Sequence, residues 1–162
     1  MLGFSAGIHS IESYTNSIFI INLVYFLIIA NIFLYGINDY FDSDTDAINP
    51  KKNDKELLLQ GSQKPYLRNT LVIITIISSI VAVIQSNALL KLLFLLFILL
   101  SYCYSAPPVR FIARPFFDFL SNILYILPGI IGYVQATRHL PETILMVAFA
   151  SWAFAMHLFS AI

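Results

Sequence analysis

Residues 14–46 read YTNSIFIINLVYFLIIANIFLYGINDYFDSDTD, an apolar run over 14–37 that passes without a break into Asn38, Asp39, Asp42, Asp44 and Asp46. The apolar part exceeds the roughly 20 residues that a helix needs to cross a bilayer. Its acidic continuation is the feature from which chemistry has to be read.

The rest of the chain repeats the apolar half of that pattern. Runs at 71–85, 88–104, 119–134 and 143–162 bring the expected number of spans to five, the second short and joined to the third through Ser86 and Asn87 as a tight hairpin. With 59% hydrophobic and 11% charged residues, these runs lack the polar face that a helix in water shows at its 3.6-residue period. The expected fold class is therefore all-α, a polytopic transmembrane helical bundle in contact with lipid. The formal net charge of zero gives no electrostatic case for nucleic acid, and nothing in the sequence requires a protein partner. The single cysteine, Cys103, lies inside an apolar run and reads as a buried thiol. Residues 1–10 carry no basic residue and no small-residue cleavage site, so they do not read as a signal peptide.

Lysine and arginine fix the expected orientation. Lys51, Lys52, Lys55, Lys64 and Arg68 follow the first run and Arg110 and Arg114 follow the third, while the opposite ends hold only Lys91 and Arg138. Basic loops stay on the cytoplasmic side, which places the acidic helix end there as well.

On a continued helix, Asn38, Asp42 and Asp46 recur every fourth residue and share one face over roughly 12 Å of axis. Asp39 lies beside that stripe and Asp44 points away. Carboxylates at a helix C-terminus oppose the helix dipole, which disfavours each by about 0.3–1 kcal/mol, and they repel one another. A divalent cation would compensate, and oxygen donors of this kind suit Mg2+, which is usually held by one or two carboxylates together with substrate phosphates. Lys51 and Lys52 are the competing source of neutralising charge. An EF-hand fails on spacing, because Ala47 and Asn53 stand where its loop needs glycine and a bidentate glutamate.

Residues 38–46 fit Asn-Asp-x-x-Asp-x-x-x-Asp and so resemble the first aspartate-rich motif of the UbiA prenyltransferase superfamily. Residues 47–52 (AINPKK) resemble the segment after that motif, and residues 104–110 (YSAPPVR) the loop two helices later. Residues 49–56 (NPKKNDKE) and 114–122 (RPFFDFLSN) look most like the carotenoid branch, the lycopene elongases, although chlorophyll synthases share the Tyr-Ser-x-Pro-Pro pattern. The resemblance implies a bundle of nine helices, in which magnesium and two acidic motifs bind an isoprenyl diphosphate and the prenyl group passes to a lipophilic acceptor such as lycopene. It also leaves chlorophyll-type and quinone-type acceptors open.

On that reading Asn38, Asp42 and Asp46 are the expected metal ligands, and Asp39 orients a neighbour or holds a water. Asp42, Asp46, Arg110 and Asp118 form the expected catalytic set. Lys51, Lys52, Lys64, Arg68, Arg110 and Arg114 are candidate diphosphate contacts, Arg110 the best placed because residues 104–110 match the family, with the positive-inside anchor as the alternative for each. Tyr104, like Tyr102, offers a ring to a carbocation, or else belongs to the interfacial belt. Asp118 and Asn122 lie one turn apart at the entry to the fourth span, where an ionisable group is costly; pairing of Asp118 with Arg114 is the alternative. His157 reads as a packing residue, and His9 and His139 as loop residues.

A channel or transporter fragment, with Asp42 and Asp46 binding a permeating cation, is the competing class. Such sites usually lie near the bilayer midplane, whereas this cluster sits at a helix end. Residues 2–8 (LGFSAGI) resemble the tail of an earlier span, and residue 162 falls inside an apolar run. Residues 1–162 are thus expected to be a partial UbiA-type domain, cut at both ends, with the second acidic motif shortly downstream and the fragment alone inactive.

Overall fold

The computed structural model of the chain describes residues 2–8, 10–46, 59–114, 117 and 121–160, the side chains of 44–46 and 156–160 excepted. Helices account for the regular structure of these residues, and no strand occurs among them. They are α1 (Leu2–Ser5), α2 (Ser17–Val24), α3 (Ala30–Asp46), α4 (Lys64–Val83), α5 (Ala88–Ser105), α6 (Ile123–Thr137) and α7 (Thr143–Ser160).

The first span begins where its sequence provides a cap. Asn16 Oδ1 accepts from the backbone N–H groups of Ile18 (2.9 Å) and Phe19 (3.3 Å), which the first turn cannot pair by itself. Between α2 and α3 the backbone makes one π-helical turn, Tyr25–Ile29, and the whole rod Ser17–Ser43 is long and apolar enough to cross a bilayer. A π turn frees carbonyl groups from the helical ladder. Asn31 uses them: its Nδ2 donates to Phe26 O and Leu27 O, each at 3.0 Å, so an outward-facing amide stays satisfied in an apolar setting.

The second span corrects the sequence expectation at one end. Expected over 71–85, it extends over Gly61–Val83. Hydropathy stops at the polar residues 62–70, but the helix does not, because Pro65 is tolerated in its first turn and a reciprocal Gln60–Gln63 capping box precedes it. Asn87 then starts α5, its Oδ1 accepting from Leu90 N at 2.8 Å, which closes the expected hairpin. Ala88–Ser105 is the third helix long enough to span. The remaining two expected spans are apolar but shorter over the described residues, Ile123–Thr137 and Thr143–Ala155.

Helix α5 packs against α3, α4 and α6, and α7 packs on α6. Tyr25, Leu90, Phe94, Leu124, Ile131 and Val134 form the buried centre. Leu27, Ile28, Ile73, Ile76, Leu92, Leu95 and Leu99 point outward along the spans. So much apolar surface is untenable in water and ordinary in lipid.

Lipid tails are as apolar as leucine, so close backbone approach and interhelical hydrogen bonds must hold such helices together. Both occur. At Gly3 an added Cβ would collide with the backbone of Gly129, and this lets α1 lie directly on α6. Asn22 of α2 donates through Nδ2 to Gln85 Oε1 (3.1 Å) and Gln135 Oε1 (3.0 Å), and Gln85 Nε2 donates back to Asn22 Oδ1 (2.9 Å). This amide clamp ties the first span, the end of the second and α6 at one level.

Candidate functional site

The end of α3 and the loop after α5 meet at the same face of the bundle. From α3, Asn38 turns toward α5, where its Oδ1 accepts from the hydroxyl of the fully buried Ser105 at 3.0 Å. One turn on, Asp42 is buried, and its Oδ1 accepts a charge-assisted hydrogen bond from Arg110 Nη2. The repeat of four that placed Asn38 and Asp42 on one stripe therefore directs both to one side, Asn38 to the end of α5 and Asp42 to the loop that follows it.

Residues 106–110 bring Arg110 into position. The Ala106 carbonyl accepts from Arg110 N at 3.0 Å, and the peptide bond between Pro107 and Pro108 is cis. Arg110 itself is left-handed, with φ 44° and ψ 69°, a region where most non-glycine residues are strained. Its guanidinium thereby crosses to α3. Nη2 is taken by Asp42, while Nε is buried and has no partner, an orphaned donor of the kind that an incoming anion satisfies.

The other expected residues separate into groups. Asp39 is exposed on α3 beside the Asn38–Asp42 stripe. Arg68 is exposed near the start of α4 and lines an apolar groove of about 300 Å³ with Phe33, Ile37, Phe41, Leu71 and Tyr102. The Tyr102 ring meets Phe41 edge-on at 6.1 Å, and Tyr104 is half-buried next to Ser105. Arg114 stands over the ring of Phe117 at 6.0 Å, a cation–π contact apart from the Asp42 pair. Asn122 is buried at the start of α6. Asp46 belongs to α3 by its backbone; its side chain, together with Lys51, Lys52, Asp118, His9 and the side chain of His157, lies outside the described residues. Among the described residues Asp42 pairs with Arg110; Lys51 and Lys52, the source of neutralising charge read from the sequence, lie outside them.

Ser105 was not singled out from sequence, although it stands inside the quoted residues 104–110. A lone serine among apolar residues carries no chemical signature until the helix opposite supplies Asn38. Among the described residues no group of three or more histidine, cysteine, aspartate or glutamate side chains comes together. The oxygen donors that do converge are one amide and one carboxylate, with Asp39 alongside. Hard oxygen donors without nitrogen or sulfur suit magnesium, and the unpartnered Arg110 Nε suits a phosphate ligand shared with it, so the residues fit the metal expected from the sequence.

Comparison with known proteins gives a consistent result. The sequence profile described as the UbiA prenyltransferase family matches residues 3–162. The chain is 41% identical over 152 residues to a lycopene elongase/hydratase of Haloarcula japonica, covering 86% of this chain and 47% of that protein. It is 35% identical over 166 residues to a lycopene elongase/hydratase of Halobacterium salinarum, covering 100% of this chain and 58% of that protein. A C(50) beta-cyclic carotenoids biosynthesis protein of Dietzia sp. is 29% identical over 151 residues, 88% of this chain and 34% of the relative. The chain spans about half the length of the curated relatives it matches first. No solved structure matches it.

Proposed function

The chain belongs to the UbiA prenyltransferase family, and from that premise we propose that the protein containing it moves an isoprenyl group from an allylic diphosphate to a carotenoid acceptor of the lycopene type, inside the membrane. The observation that carries this reading is the buried pair Asp42–Arg110 with its spare Nε donor; Phe41, next to Asp42 in the chain, lines the apolar groove.

In the reaction the donor's C1–O bond breaks, diphosphate leaves, and C1 bonds to a terminal alkene carbon of the acceptor. The tertiary cation so formed is closed by losing a proton, or by taking water and then losing a proton. The largest assistance comes from groups that stabilise charge developing on the diphosphate. Arg110 supplies a planar fork matched to phosphate oxygens, and its left-handed backbone holds that fork in place. Ser105 donates to the Asn38 amide oxygen and so fixes the orientation of that amide one turn before Asp42. Asn38, Asp39, Asp42 and Asp46 would hold magnesium, which supplies Lewis-acid neutralisation of the leaving group when bound. Arg68 stands beside the apolar groove, where a prenyl tail lies against Ile37 and Leu71 with its charged head toward the basic face. The acidic end and basic loops are assigned to the cytoplasmic side, where a water-soluble diphosphate is available.

The names of the relatives favour a carotenoid acceptor over the chlorophyll-type and quinone-type alternatives. The position of Asp42 at a helix end beside a basic loop, away from the bilayer midplane, disfavours a cation-permeation role. The test is transfer from dimethylallyl diphosphate to lycopene by the full gene product in membranes, with and without Mg2+. Asp42→Ala is expected to lower turnover by about 100-fold or more. Turnover at the wild-type level would remove Asp42 from the site.

A further inference from the structure

The end of the bundle opposite Asp42 holds a second polar site that the mechanism above does not use. Asn16 precedes Asn38 along the first span by about 33 Å of helix axis. Around Asn16 the 3₁₀ turn Ile11–Thr15, the turn between α4 and α5 and the end of α6 enclose a cavity of about 480 Å³. Ser13, Asn16, Ser86, Gln135 and Arg138 line it.

Two observations show that this polar lining is built into the fold. Gln135 is oriented by the amide clamp: its Oε1 accepts from Asn22 at 3.0 Å, and Asn22 and Gln85 are themselves buried and mutually paired. With Oε1 held by Asn22, the amide of Gln135 is fixed in the cavity wall, and its Nε2 is the end that can donate to an occupant. Arg138, second, ends α6 in the left-handed conformation, φ 67°, at a position where glycine or asparagine is usual. Its guanidinium donates to Ser86 Oγ across the α4–α5 turn and so closes one wall.

We propose that this cavity receives the far end of the linear acceptor, specifically the hydroxylated end of a molecule that has already been extended once. This inference rests on the carotenoid reading above. One relative is named for fifty-carbon carotenoids. A forty-carbon polyene reaches that size only by two five-carbon additions, and a symmetric one offers an equivalent alkene at each end. Other relatives are named elongase/hydratase; in the reaction proposed above, a first round of that kind joins donor C1 to the terminal alkene, releases diphosphate, and closes the cation with water and loss of a proton. The reacted end then bears a hydroxyl. For the second round the molecule must reverse, bringing its unreacted end to Arg110 and its hydroxyl to the opposite end, across a hydrocarbon core of about 30 Å. A hydroxyl buried there requires hydrogen-bond partners, which Gln135 and Ser13 provide. The first-round acceptor has no hydroxyl and makes no such demand.

The full gene product is expressed in a lycopene-accumulating bacterial host, and singly and doubly extended carotenoids are resolved by chromatography and mass. Gln135→Leu removes the oriented donors. Ser13→Ala, outside the amide clamp, guards against a folding defect in the first variant. Both are expected to lower the ratio of doubly to singly extended product about tenfold, the effect of one lost hydrogen bond, while total lycopene consumption stays within about twofold of wild type. An unchanged ratio in both variants overturns the inference, as does an equal loss of both products. A wild-type protein that extends lycopene at neither end instead overturns the reading of function on which it rests.

Discussion

Arg110 occupies a backbone conformation that costs an L-residue about 1–2 kcal/mol. Glycine would relieve that strain but carry no cation. Two opposed effects therefore meet in Arg110→Gly: release of strain, and exposure of Asp42 as a buried carboxylate without its partner. Breaking a fully buried pair costs about 3–5 kcal/mol. Here the Arg110 side chain is 37% exposed, which reduces that figure through solvent screening. Adding Asp42→Asn removes the stranded charge. The double variant is expected to unfold at a higher temperature than Arg110→Gly alone in the same detergent, while both transfer no prenyl group. The reverse order of melting temperatures would show that the pair contributes nothing to the fold. The acidic half of this site was legible, because a repeat of four on a helix fixes which residues share a face. Its basic half was legible only in part: residues 104–110 marked Arg110 as a diphosphate contact, but nothing marked it as the partner of Asp42. Asp42 and Arg110 are 68 residues apart, and no local periodicity distinguishes Arg110 from Lys51, Lys52 or Arg114 as the partner; the choice is made by a loop that folds back from α5.

At the scale of elements, apolar runs announced each helix, and only their ends went astray. Residues 62–70 are too polar for a hydropathy window yet continue α4, since a helix entering the interfacial region can carry Lys64 and Arg68 at its end. The contacts between helices were far less legible. A glycine in an apolar run gives no sign of whether lipid or a second backbone lies against it. At Gly3 it is the second backbone, that of Gly129 on α6. Gly3→Val would force two elements apart where neither side can yield by rotating a side chain. It is expected to destabilise the fold by about 1–3 kcal/mol, read as a lower unfolding midpoint in mild detergent. Gly61, with nothing within 4 Å of a built Cβ, is the control, and Gly61→Ala should leave the midpoint unchanged. Asn22, Gln85 and Gln135 were similarly mute in the sequence, each a lone amide within or at the end of an apolar run until the fold brings them to one level.

For the whole molecule, the distribution of charge and the polarity of the two ends make one argument. Of the nine lysine and arginine residues, all but Lys91 and Arg138 fall in the segments that follow α3 and α5. Helix connectivity places the start of α4 and the end of α5 at the face of Asp42, and the starts of α5 and α7 at the face of the cavity around Asn16. A diphosphate donor cannot cross hydrocarbon, so the face that binds it must be the one to which it is supplied, and the positive-inside rule assigns that face to the cytoplasm. Orientation is thus a premise of the mechanism and can be measured without any turnover. With Cys103 and any other native cysteine of the full gene product replaced by serine, cysteine placed at His139, exposed after α6, is expected to react with a membrane-impermeant maleimide on intact cells. Cysteine at Ser62, exposed ahead of α4, should react only after the membrane is opened. The opposite pattern would put Arg110 and Asp42 on the outer side, away from a cytoplasmic diphosphate, and the assignment of that site to prenyl transfer would fail even though every contact within it were correct.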